Sequence, residues 1–174
     1  MSTIIVALII IGGIVVITSL LVYINKKHSK EKREKLLQRF SQLGSEYGLS
    51  FASQEILKER IIGLDGVQRK LLVLEEKDGQ QSHYIIDLEE VKSCMVKKMF
   101  SNIPAGDARQ RNTDDHLQAI ALQFDFKDKR PAIILPFYDS IANHVFEIAE
   151  LQVKAKDWES ILSKMLAKET KKIA

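Results

Sequence analysis

The sequence predicts an α+β protein: an N-terminal transmembrane helix, then a mainly antiparallel six- to seven-stranded sheet or barrel, capped by a long C-terminal helix. Three observations predict it. Residues 3–24 are apolar and uncharged. From about residue 49 to 138, short apolar runs alternate with turn formers. From Ser140 to Lys168 neither Gly nor Pro occurs, and apolar residues recur at spacings of three and four. The expected organisation is an anchor over 1–25, a basic linker helix over 26–48 and a folded domain over 49–170.

The run from Thr3 to Ile24, TIIVALIIIGGIVVITSLLVYI, has 22 residues. As a helix it reaches about 33 Å, against a hydrocarbon core of about 30 Å. Its β-branched residues favour other structures in water, but in lipid only a helix satisfies the backbone. A cleavable signal peptide fits less well: no basic residue precedes the run, the run is long, and no small-x-small site lies before Asn25. Gly12 and Gly13 lack GxxxG spacing, so a helix-pairing role is not indicated.

Charge then sets the expected orientation. Residues 26–39 carry seven Lys/Arg against two Glu, a net of +5, which leaves −2 of the total +3 for the remainder. Lysines and arginines stay on the cytoplasmic side, so the expected topology is single-pass, N-terminus outside, with a cytoplasmic C-terminal domain. Lys26, Lys27, Lys30, Lys32, Arg33 and Lys35 are candidate contacts for anionic lipid headgroups. Because the basic excess sits in this block and not on the folded domain, no nucleic-acid partner is expected.

Residues 29–47 become amphipathic through Leu36, Leu37, Phe40, Leu43 and Tyr47, one face of a helix that Gly44 and Gly48 should end. Phe40, Leu43 and Tyr47 are expected to dock on the domain. Strands are then expected at Arg60–Leu64 and Arg69–Glu76, joined at the Asp65-Gly66 turn. After Lys77-Asp78-Gly79 come His83–Leu88 and Val91–Met99. Residues 101–116 are polar and rich in turn formers, which reads as a long exposed loop. Gln118–Lys127 places Ile120, Leu122, Phe124 and Phe126 at period two, a half-buried antiparallel strand. Ala132–Tyr138 contains Pro136, which marks an edge strand or a bulge. Leu49–Ser53 is a further candidate strand. The final helix should bury Ile141, Val145, Ile148, Leu151, Ala155, Trp158, Leu162 and Met165.

The hairpins around Asp65-Gly66 and Asp78-Gly79, the strand QAIALQFDFK and the helix around Trp158 together resemble a pleckstrin-homology-like domain, over about residues 49–168. The whole chain resembles small single-span membrane proteins carrying such a domain. The resemblance implies an antiparallel barrel closed by a helix. Such domains often bind phosphoinositides through basic residues around the first hairpin; here the turn is Leu64-Asp65-Gly66-Val67, and Arg69 and Lys70 follow it.

Chemistry is sparse. His28, His83, His116 and His144 lack metal-ligand spacing, and no C-x-x-C, Walker or G-x-S-x-G motif occurs. The lone Cys94 excludes an intramolecular disulfide and reads as a buried thiol. Asp114-Asp115-His116 falls in the polar loop, and Asp87, Glu89 and Glu90 read as a turn. Lys97 and Lys98 suit an edge strand. No catalytic residue, cofactor or metal is expected. The expected function is a non-enzymatic, membrane-anchored adaptor presenting its domain to a protein partner; the alternative is an anionic-lipid surface sensor.

Overall fold

The computed structural model describes residues 30–77, 79–101, 117–128 and 130–170. The chain divides after Gly48 into two units. In the first, the described part of helix α1 covers 30–46. Residues 30–35 are charged and exposed; Leu36, Phe40 and Leu43, spaced four and three, are buried. Gly48 ends it with φ 62°, a left-handed conformation that glycine adopts without strain. Tyr47 stays 48% exposed, which departs from its expected burial.

The expectation of a transmembrane, single-pass, integral membrane protein is corrected. Among the described residues no helix is long and apolar enough to cross a membrane. The physical reason lies in composition: the described part of α1 carries KEKREK at 30–35, and the C-terminal helix carries charge along its length. The expected span over residues 3–24 lies outside the described residues, as do Lys26, Lys27 and His28. The outside-to-cytoplasm orientation rested on that span, and no described helix supports it.

Among the described residues the second unit contains seven strands: β1 (Phe51–Ile56), β2 (Arg60–Asp65), β3 (Lys70–Lys77), β4 (Gln80–Asp87), β5 (Val91–Phe100), β6 (Leu117–Phe126) and β7 (Ile133–Asp139). A 3-10 turn at Val145–Glu147 leads into helix α2, Ile148–Thr170. The expected single sheet or barrel is corrected to two antiparallel sheets, β1-β2-β3-β4 and β5-β6-β7. They part at the short connection 88–90, where the ladder of the first sheet ends at Asp87 and that of the second begins at Val91.

Alternation explains the core. Ile62, Leu64, Leu71, Val73 and Ile86 face Ile120, Leu122, Phe124 and Leu135 in one apolar cluster. β6 buries its period-two side chains, while Gln123 and Asp125 remain half-buried on the opposite face. β2 and β3 are apolar on consecutive positions, and Ile61, Leu72 and Leu74, on their other face, are also buried. α2 adds Ile148, Leu151, Ala155, Trp158 and Leu162 to the cluster.

Turn chemistry sets the connections. The β2–β3 hairpin closes over four residues, Gly66–Arg69, and not over a two-residue Asp65-Gly66 turn. The buried Asp65 carboxylate accepts the N–H groups of Val67 and Gln68, each at 2.8 Å, and that of Ser50 at 2.7 Å. Arg69, with φ 56°, supplies the left-handed residue. In the next hairpin Gly79 has φ 78°, and Asp78 lies outside the described residues. Pro136 sits on the edge strand β7, beside a register shift opposite Ile120 and Ala121. The expected loop lies outside the described residues beyond Ser101, and with it Asp114, Asp115 and His116.

The last helix starts later than expected. Ile141 and Val145 continue its apolar spacing, yet they are 96% and 62% exposed. The reason is local. The Asp139 carbonyl accepts the N–H of Asn143 at 2.7 Å, and the Asp139 carboxylate accepts that of Ile141 at 2.9 Å, which turns the chain before a helix can begin.

Candidate functional site

The segment between β7 and α2 is built from short polar residues that tie down the backbone. Besides the Asp139 bonds, the Asp139 N–H donates to Asn143 Oδ1 at 3.1 Å. Asn143 Nδ2 donates to Glu147 Oε2 at 3.3 Å, and the same oxygen accepts the His144 N–H at 2.7 Å. These bonds hold the Glu147 carboxyl below the usual glutamate range, the His144 amide contributing most. The Lys58 ammonium donates to the Ala142 carbonyl from the β1–β2 connection. The His144 ring stacks on Phe146, with centroids 5.1 Å apart and planes 11° from parallel.

On this ordered frame the apolar side chains point outward. Ile141, Val145 and Phe146 are all exposed, Phe146 at 81%. Leaving a phenylalanine in water forgoes about 1.5–3 kcal/mol of burial free energy. A segment that is rigidly bonded and wet on its apolar side is a surface suited to a partner.

The residues expected from the sequence to touch lipid headgroups are divided between the two units. Lys30, Lys32, Arg33 and Lys35 are exposed along α1, in the first unit. Arg69 and Lys70 belong to the second unit, and both are partly buried. The Arg69 guanidinium donates to the Met165 carbonyl of α2 at 3.3 Å, so it braces the helix from the hairpin below it. Lys26 and Lys27 lie outside the described residues.

Several other polar side chains of the second unit have structural roles. Arg60 donates to the Pro136 carbonyl and lies 3.8 Å from Glu75, which joins β2 to β7 and β3. Burial, with Glu75 beside it, pushes the Tyr84 phenol up. Arg130 bonds Asp128 at 2.8 Å and Glu90 at 2.6 Å, and lies over the Phe126 ring at 4.2 Å. Burial pushes the Cys94 thiol up to about 12, with the Glu159 and Asp125 carboxylates adding to the shift. The thiolate needed of a nucleophile is therefore scarce at neutral pH. Among the described residues no group of His, Cys, Asp and Glu is placed to hold a metal ion.

Sequence reasoning missed Phe146 and placed Ile141 and Val145 in the core. A signal was present: Phe146 falls off the apolar stripe, so a helix through it would have set a large aromatic on its polar face. No protein family, curated protein or solved structure matches the chain.

Proposed function

We infer that the second unit is a non-catalytic protein-binding domain, with the 141–146 segment as its contact surface. One observation carries this reading: Ile141, Val145 and Phe146 are exposed on a backbone already fixed by Asp139, Asn143 and Glu147. Preorganisation lowers the ordering cost of association, and exposed aromatic and aliphatic anchors supply the affinity. A buried, protonated Cys94 supports the non-catalytic part of the reading.

We also read the unit as pleckstrin-homology-like. A four-stranded and a three-stranded antiparallel sheet followed by a C-terminal helix support that reading. The inward placement of Arg69 favours a protein partner over a headgroup site at this hairpin.

The test uses the full chain as bait, with a photo-reactive residue at Ser140 and with or without the double change Ile141→Ser and Phe146→Ser. A specific protein captured by the parent and lost in the double variant is the expected result. Identical capture by both, with the variant folded, would overturn the assignment of this surface.

A further inference from the structure

An antiparallel sheet that rests one face on the core commonly turns polar side chains outward on the other. The β5-β6-β7 sheet departs from this. Its register sets three outward rows: Met95, Gln123 and Ile134; Lys97, Ala121 and Pro136; Met99, Ala119 and Asp139. The rows that alternate with them, Cys94-Phe124-Ile133 and Val96-Leu122-Leu135, pack into the core with α2. Most outward positions are thus apolar, and Met95 and Ile134 are 42% and 47% exposed.

The charge on this sheet is uneven. β5 carries Lys92, Lys97 and Lys98, all exposed, and no acid. Among the described residues none of these lysines joins an ion pair. The acids facing outward are half-buried and already engaged. Asp125 accepts Ser93 Oγ at 3.0 Å and Gln123 Nε2 at 2.6 Å, and Asp139 accepts the Ile141 N–H at 2.9 Å.

We propose that the outward face of β5-β6-β7 is a docking surface for an acidic amphipathic segment of a partner protein, its apolar side chains seated on Met95 and Ile134 and its carboxylates on Lys92 and Lys97. Methionine adapts its shape to a varied apolar partner, and exposed ammonium groups without a counter-charge select carboxylates. The Val96 N–H on the β5 edge is taken by Glu159, so the segment lies across the face and does not extend the sheet. An anionic bilayer fits less well, because it would press the Asp125 carboxylate and the Gln123 amide against lipid. The residues are distinct from those of the 141–146 segment, so each reading can fail alone.

The test follows the methionine methyl resonances of the full chain during titration with a synthetic peptide of alternating glutamate and leucine. Met165 on α2 lies among the core residues and reports that the fold is intact. The expected result is a shift of Met95 with Met165 unmoved, weakened by salt. Lys97→Glu and Lys92→Glu should each weaken binding at least about tenfold. Lys164→Glu, an equal charge change on exposed α2, should not. No shift of Met95 at millimolar peptide overturns the proposal, as does equal binding of a lysine–leucine peptide or indifference to both β5 substitutions. Met95 shifts produced by phosphatidylserine vesicles, or by raising the concentration of the chain alone, with none from the acidic peptide, also overturn it.

Discussion

The Glu159 carboxylate on α2 accepts the backbone N–H of Val96 on β5 at 2.8 Å. One side chain thus docks the helix and closes part of a sheet edge. Removing it leaves a partly buried amide without its acceptor, a loss of about 1–3 kcal/mol. Glu159→Ala should lose stability on that scale in denaturant titration, and the Val96 amide should exchange faster with deuterium. Glu159→Gln retains an acceptor and should lose less.

Trp158 lies 4% exposed in the helix–sheet interface. Trp158→Ala opens a cavity there and should cost about 3–5 kcal/mol. Trp158→Phe fills most of that space and should cost clearly less. Equilibrium unfolding of both variants checks the ratio, and equal losses would show that packing at this position is not what holds α2.

Acid should destabilise the domain through its bonded carboxylates. Hydrogen bonds from Gln68, Ser50 and Val67 hold Asp65 below its ordinary value of 3.8. Gln123 and Ser93 do the same for Asp125. A depressed folded-state pKa gives stability that is present above the unfolded value and lost as pH falls through the folded one. Melting temperature should therefore hold steady near neutrality and fall below about pH 4. Asp65→Asn should melt lower at pH 7 and show a shallower fall in acid.

Cys94 should resist thiol reagents while the chain is folded. With its thiol pushed up to about 12, it carries about a thousandfold less thiolate near neutral pH than a free cysteine. Labelling with a chromogenic disulfide should be slow in buffer and fast in denaturant. Rapid labelling of the folded chain would show that the β5–α2 seam opens readily.

The exposed segment should tolerate polar substitution. Ile141→Ser removes almost no buried surface and Phe146→Ser little beyond its stacking on His144, so each should change stability by no more than about 0.5 kcal/mol. Thermal melts of the two variants separate a contact surface from a hidden packing role, since a large drop would assign these residues to the core.

The strands were legible because their signals are local. Period two in Ile120, Leu122, Phe124 and Phe126, and turn formers at Gly66 and Gly79, act within a few residues of where they stand. Pro136 similarly announced an edge and an irregularity. The start of α2 was not legible from spacing alone, because Ile141 and Val145 satisfy the helical period while Asp139 and Asn143 bend the backbone out of it. The apolar run at 3–24 spoke for a membrane span by composition, and neither described helix has the character that reading required. Links such as Arg60 to the Pro136 carbonyl, or Glu159 to Val96, join residues tens of positions apart, and no periodicity encodes them.

The chain contains a single tryptophan, and it sits where the terminal helix meets the second sheet. Indole emission therefore reports on one place in the molecule. Detachment of that helix would redden the fluorescence even if every strand stayed paired, whereas fraying of the distant β3–β4 tip would leave the spectrum unchanged. Optical melting curves of this protein read the closing of its lid, and agreement with far-ultraviolet dichroism would mean that lid and sheets come apart in one step.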